Sequence, residues 1–481
     1  MAITEHRDIE KGDNKGLEDL VEPLVENKSK NVDISEHQND SITMVLLSTA
    51  VAVCGSLEFG TCVGYTAPTQ SAIVSDLNLS VAEYSLFGSI VTIGAMIGAV
   101  TSGRIADTIG RKGAMGLSAV FCIAGWLAIF FAMGAYSLDT GRFFTGYGIG
   151  IFSYVVPIYI AEISPKDLRG GLTTLNQLMI VTGSSISFLL GTIVSWRILA
   201  LVGLIPPVFL LVGLLFIPES PRWLAKVGLE LEFNHSLRKL RGKKANISAE
   251  ADEIHESIVA LQSLPKARLL DLFDAKYIRP VIIAVGLMVC QQSGGINGIG
   301  FYASQTFETA GYSSGKVGTI LYALIQIPVT IIGVILMDKS GRRALLLVSS
   351  SGTFLGCFLA GTSFYFKDQG IFLEWVPLLA ASGVLIFIAA FSIGMGAVPW
   401  LIMSEIFPLH IKGAAGSLVV LVNWLGAWVV SYSFNFLIVW SPAGTFWLFS
   451  GFCVATVVFV AKLVPETKGK SLEEIQASIN S

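Results

Sequence analysis

The 481-residue chain is 53% hydrophobic and only 14% charged, against about a quarter charged in soluble domains. That balance excludes a soluble globular protein and gives a polytopic membrane protein. A net charge of -3, with the charges segregated into loops, excludes a basic face for nucleic acid.

Residues 1–41 hold eleven Asp/Glu and five Lys/Arg with few large apolar side chains, so they are expected to form a disordered tail. No cleavable leader is expected, because this start is long, acidic and polar. Apolar runs of about 20 residues, enough to cross a bilayer, then fall near 43–65, 83–103, 113–133, 141–160, 173–195 and 198–217. A polar stretch over 218–277 follows, basic at Arg238–Lys244 and then helix-like from Ser248 to Leu261, predicting short helices beneath the bundle and contact with lipid headgroups or solvent. Six further runs lie near 278–302, 315–337, 344–366, 375–402, 414–440 and 445–464, before a second tail over 465–481. The expected fold is therefore all-α, with twelve spans in bundles over 42–217 and 278–464. With both termini in the cytosol, 28 of the 32 Lys/Arg lie on the cytosolic side, which sets that orientation by the positive-inside rule.

The two halves repeat each other. Asp107-Thr-Ile-Gly-Arg111-Lys112 follows span 2, and Asp338-Lys-Ser-Gly-Arg342-Arg343 follows span 8. Glu162 after span 4 matches Glu405 after span 10, and Pro218-Glu219-Ser220 matches Pro465-Glu466-Thr467. Duplication with six spans per half predicts alternating access around a site near the midplane. The acidic members, together with Arg111, Arg169, Arg222, Arg342 and Arg343, are expected to pair as a latch when the cytosolic face is closed. The alternative is that they satisfy helix ends.

Gln291-Gln292-Ser-Gly-Gly-Ile-Asn297-Gly-Ile-Gly-Phe301-Tyr302 places three amides and four glycines inside span 7. Amides in hydrocarbon need partners or a cavity to line, and a glycine-loosened helix at that depth needs a cavity or other protein beside it. Neutral amides near aromatic rings suit a neutral polyol, although amides also join neighbouring helices. The six cysteines all fall in apolar runs without metal or redox spacing, so neither a disulfide framework nor a metal site is expected. All five histidines lie in the polar segments, which argues against a histidine relay.

These loops, with Pro157-Ile-Tyr-Ile-Ala-Glu162 to Arg169-Gly170, Pro218-Glu-Ser-Pro-Arg222-Trp223 and Pro465-Glu-Thr-Lys-Gly469, resemble the sugar porter family of the major facilitator superfamily over residues 43 to 475. Glu58-Phe-Gly through Gly64-Tyr-Thr-Ala-Pro-Thr-Gln70 is most similar to the plant early-dehydration-responsive members. The resemblance implies a sugar site from Gln177, Gln291, Gln292, Asn297, Trp400 and Asn423, with Gln326 and Trp424 behind them. It implies a vacuolar membrane, with the plasma membrane as alternative, and a monomeric transport unit. At the family's tyrosine positions in span 7 stand Phe301 and then Tyr302.

Proton-coupled relatives carry an aspartate in span 1 opposite a span 4 arginine. Here Cys62 stands at that position, and Glu58 lies one helical turn earlier on the same face. Glu58 and Arg142 are thus the expected coupling pair. The resulting expectation is a hexose carrier, glucose first, neither an enzyme nor a cofactor-dependent protein. Its alternatives are an uncoupled uniporter and a membrane sugar sensor that binds without flux.

Overall fold

The computed structural model describes all residues except 1–21, 166, 243–244, 264–268, 275, 313–314, 471–473, 476–478 and 480–481, and over 22–41 the backbone alone. The first helix runs Glu22–Gly64, so a helix replaces the latter part of the expected tail. Pro23 near its start and the absence of glycine until Gly55 suit that extension.

Ten helices among the described residues are long and apolar enough to cross a membrane. One of them, Val81–Phe130, is 50 residues long and breaks at Gly110 (φ 82°, ψ 172°), so it supplies spans 2 and 3. Only glycine takes that φ readily, and a Cβ there would also lie 2.4 Å from the Glu219 carboxylate. Span 5, Arg169–Gly191, is 23 residues long, and threonine, glutamine and serine make it more polar than its neighbours. Counting both gives the twelve expected spans. The others are span 1 (Ile42–Gly64), span 4 (Ala135–Ile163), span 6 (Trp196–Leu214), span 7 (Ile278–Phe301), span 8 (Lys316–Met337), span 9 (Arg342–Gln369), span 10 (Leu373–Ile406), span 11 (Ile411–Trp440) and span 12 (Pro442–Leu463).

Small residues let these helices touch backbone to backbone, the usual way bundles pack in lipid. One such close crossing joins spans 2 and 4, where a Cβ on Gly98 would meet the Tyr147 carbonyl oxygen at 2.2 Å and one on Gly150 the Ala95 oxygen at 2.3 Å. Between the halves, helices Pro221–Lys226, Glu230–Arg241 and Ser248–Ser263 pack on a small core of Leu224, Phe233, Leu237, Ile247 and Ile254. Arg241 ties this segment down, pairing with Glu250 at 2.8 Å and donating to the Ile163 carbonyl at 2.9 Å. The short helices expected there are present.

The duplicated charges build the same device twice. Arg111 pairs with Glu162 at 2.9 Å, and Ser220 donates to that carboxylate at 2.5 Å. In the second half Arg342 pairs with Glu405 at 3.2 Å and Thr467 donates to it at 2.6 Å. Glu219 accepts the backbone N–H groups of Arg111 and Lys112, and Glu466 those of Arg342 and Arg343. Each of these glutamates therefore caps a helix start, span 3 or span 9, from the end of its own half, where the helix dipole favours an anion. Asp107 pairs with Lys226 at 2.9 Å. No ion pair among the described residues joins the two halves. In this state the charges serve helix ends and intra-half pairs. Arg169 and Arg222 form no ion pair with another described residue, and the side chain of Asp338 lies outside the described set.

The two capping glutamates differ in environment. Burial pushes the Glu219 carboxyl up from its ordinary range, against the pull of the Ser220, Lys112 and Arg111 N–H groups. At Glu466 burial also pushes up, but the N–H groups of Lys468, Arg342, Arg343 and Thr467 outweigh it and hold the carboxyl below its ordinary value. A depressed carboxyl stabilises the fold above its unfolded pKa and loses that contribution as pH falls. A raised one contributes in acid and loses it as pH rises. Glu466→Gln is thus expected to lower the melting temperature at neutral pH more than Glu219→Gln, the gap narrowing in acid. Thermal melts of the two variants in detergent at two pH values check this, and equal shifts at neutral pH would refute it.

Candidate functional site

Span 7 is broken where its glycines predict. The helix Ile278–Ser293 ends at Gly294, Gly295 turns left-handed (φ 95°), and the chain resumes as Ile296–Phe301. A side chain at 295 would also strike the Phe449 ring at 2.6 Å. This break turns the last amides of the first piece toward Asn297 on the second. Gln292 Nε2 donates to Asn423 Oδ1 of span 11 at 2.7 Å, and Asn297 Nδ2 donates to Gln292 Oε1 at 2.5 Å. Gln292, Asn297 and Asn423 are thus one hydrogen-bonded chain.

Gln291, one residue earlier, points elsewhere. Its Nε2 donates to the carbonyls of Met395 at 2.5 Å and Gly396 at 3.2 Å. Those carbonyls belong to the gap in span 10 between the helices Val376–Ile393 and Val398–Ile406. Buried carbonyls in a broken helix need a donor, and Gln291 supplies it. Trp400, at the start of the second piece, is half-buried against the core of the second half.

A cavity of about 130 Å³ lies between the halves, lined by Gln177, Phe188, Asn297, Tyr322, Gln326 and Phe391 among others. Phe188 and Tyr322 meet edge to face with centroids 4.9 Å apart. Gln326 Oε1 is buried there without a partner. Of the implied sugar residues, Gln177 and Asn297 face this cavity, Gln292 and Asn423 join it through Asn297, and Gln291 and Trp400 are absent from its wall. Sequence reasoning did not single out Phe188 or Tyr322, which look like ordinary apolar-span residues.

The halves meet firmly at the end away from the arginine loops. Tyr302 stacks on Phe434 at 5.4 Å and meets Tyr84 of span 2 edge-on at 6.4 Å. Gln70 donates to Gln305 at 2.8 Å, and Asn435 to Ser85 at 3.0 Å. The aromatic closure is made by Tyr302, while Phe301 lines the cavity beneath it.

Glu58 and Arg142 are both fully buried. They are not in direct contact, contrary to the simplest form of the expected pair. Glu58 Oε1 accepts from Trp126 Nε1 at 2.6 Å and from Cys62 Sγ at 3.3 Å. Arg142 donates to the Cys62 carbonyl at 2.8 Å and to Thr66 Oγ1, and lies over the rings of Tyr65 and Phe87. Glu58 Oε2 and Arg142 Nε have no partner. Cys62 stands between acid and base, touching one with its thiol and the other with its carbonyl. Trp126, thirteen residues past the start of span 3, carried no sequence signal for this role.

The family model described as sugar (and other) transporter matches residues 26–478. Among similar chains is Sugar transporter ERD6-like 16 of Arabidopsis thaliana, 66% identical with 100% of this chain and 99% of that protein covered. Sugar transporter ERD6-like 7 of the same plant is 57% identical over 97% of this chain and 100% of its own length. Among solved structures, the proton:xylose symporter XylE bound to 6-bromo-6-deoxy-D-glucose is 27% identical with a TM-score of 0.74, covering 91% of this chain and 99% of that one. The inward open conformation of XylE from E. coli aligns with a TM-score of 0.75 at 27% identity, over 90% and 99%. With the duplicated motifs, twelve spans and a polar cavity between two halves, these place the chain in the sugar transporter family of the major facilitator superfamily, as a multi-pass membrane protein that carries sugar.

Proposed function

We propose that this carrier moves a hexose, glucose first, by alternating access, and couples that movement to protons through Glu58 and Arg142. The observation that carries the sugar reading is the cavity between the halves, with uncharged Gln177, Asn297 and Gln326 set among Phe188, Tyr322 and Phe391. Amides bond hydroxyls, and ring faces suit the C–H face of a pyranose. A buried carboxylate and a buried guanidinium separated by one cysteine support coupling, because a small shift of span 1 against span 4 would bring them into contact. Proton symport by XylE, a relative of the same fold, supports it further. The membrane we propose is the vacuolar one, as the resemblance to the plant early-dehydration-responsive members implies, and the distribution of Lys and Arg supports both termini in the cytosol.

A uniporter is the second reading, favoured by one contact: Glu58 is bound to Trp126 rather than to Arg142. Proteoliposomes separate the two. For Glu58→Gln, coupling predicts that sugar-driven pH change and proton-driven accumulation vanish while counterflow of radiolabelled D-glucose persists. If the pH change is untouched, the uniporter reading replaces it. Running D-glucose, D-fructose and D-xylose in parallel identifies the cargo.

A further inference from the structure

A second cavity, about 270 Å³, lies at the closed end, lined by Gln70, Ser71, Ser304, Gln305, Glu308 and Asn435 among others. Residues from both halves form its wall: Gln70 from the helix Thr66–Leu77, Ser304, Gln305 and Glu308 from the helix Ala303–Thr309, and Asn435 from span 11. Tyr302 separates it from the central cavity along the chain, since Phe301 lines one and Ser304 the other.

Its polar groups are short of donors. Asn435 is only 2% exposed, and its Oδ1 has no partner. The orientation of that amide follows from its neighbour: the Ser85 hydroxyl gives its proton to the Val81 carbonyl at 2.7 Å, so it can only accept from Asn435 Nδ2, which leaves Oδ1 free. Gln70 Oε1 is likewise buried and unpartnered, its nitrogen being bound to Gln305. Glu308, which accepts the Gly315 N–H, adds carboxylate oxygens to the same wall. Orphaned acceptors cost free energy unless a ligand or water donates to them.

We propose that this outer cavity is a second sugar site, holding a polyol by hydroxyl donation to Asn435 Oδ1, Gln70 Oε1 and Glu308 while the halves are closed at that end. The proposal rests on the sugar-carrier reading but on neither proton coupling nor the choice of hexose. Because both halves line the site, an occupant favours the closed arrangement, so sugar on that side slows reopening toward itself.

Equilibrium dialysis of radiolabelled D-glucose, D-fructose and D-xylose against the full-length protein in nanodiscs tests it. Two phases are expected, a tighter central one and a weaker outer one. Gln292→Leu removes the tighter phase and keeps the weaker. Asn435→Leu, and separately Gln70→Leu, weaken the outer phase by about tenfold for one lost hydrogen bond and leave the tighter phase in place. A single phase in the natural protein, or a weak phase that survives both outer substitutions, overturns the second site and leaves water as the occupant. Lack of the tighter phase for all three sugars overturns the hexose reading, while the weak phase still decides the outer site.

Discussion

Gly98→Val and Gly150→Val each lower the yield of folded carrier several-fold or more. Their new side chains would start 2.2 and 2.3 Å from carbonyl oxygens of the facing span, closer than any real carbon approaches. The obstruction is backbone, so no rotamer relieves it and spans 2 and 4 must separate. Overpacking a tight interior costs about 1–3 kcal/mol or more even where side chains can yield, and here the cost falls at the upper end or beyond. Against a stability of about 5–15 kcal/mol for typical domains, a loss of that size lowers the abundance of folded protein in a cell several-fold or more. Size-exclusion profiles of solubilised protein check it, with Gly413→Ala and Gly416→Ala as controls because nothing lies within 4 Å of either. Monodisperse protein at natural yield from Gly98→Val would show that this crossing tolerates separation.

Gln292→Leu is expected to reduce sugar transport about a hundredfold with a smaller effect on folding. Removing the amide breaks the two hydrogen bonds that hold Asn297 in place on the cavity wall, each worth about 0.5–1.5 kcal/mol to the geometry that meets the sugar. About 2.7 kcal/mol in total is a factor of a hundred. Gln291→Leu should behave differently, although it is the neighbouring residue of the same type. Its loss strands the Met395 and Gly396 carbonyls, so it lowers the melting temperature more than the turnover of the protein that survives. Counterflow rates normalised to folded protein, beside melting curves, separate the two. Identical profiles for both variants would refute this division of labour.

That contrast shows how far the residues could be read in advance. The twelve spans, the repeated Arg and Glu loops and the broken seventh helix follow from composition, spacing and glycine content alone. Gln291 and Gln292 could not be told apart, because which side of a helix each faces depends on the break at Gly295 and on the gap in span 10. Trp126 reaching Glu58, and Cys62 standing between Glu58 and Arg142, are contacts over 68 and 80 residues of chain. No local pattern encodes their register. Tyr302 rather than Phe301 at the closure is a matter of rotation within one helix, legible only once Phe434 and Tyr84 are in place.

Glu219 and Glu466 carry a consequence for how the molecule moves. Each comes from the last loop of its six-helix unit and clasps the start of that unit's third helix, so the unit is fastened shut by its own tail end. A block tied in this way resists internal shear, and motion is left to the seam between blocks. Under the alternating access proposed above, the aromatic and amide contacts around Tyr302 are the gate bonds that break and reform in every cycle, while the glutamate clasps stay made.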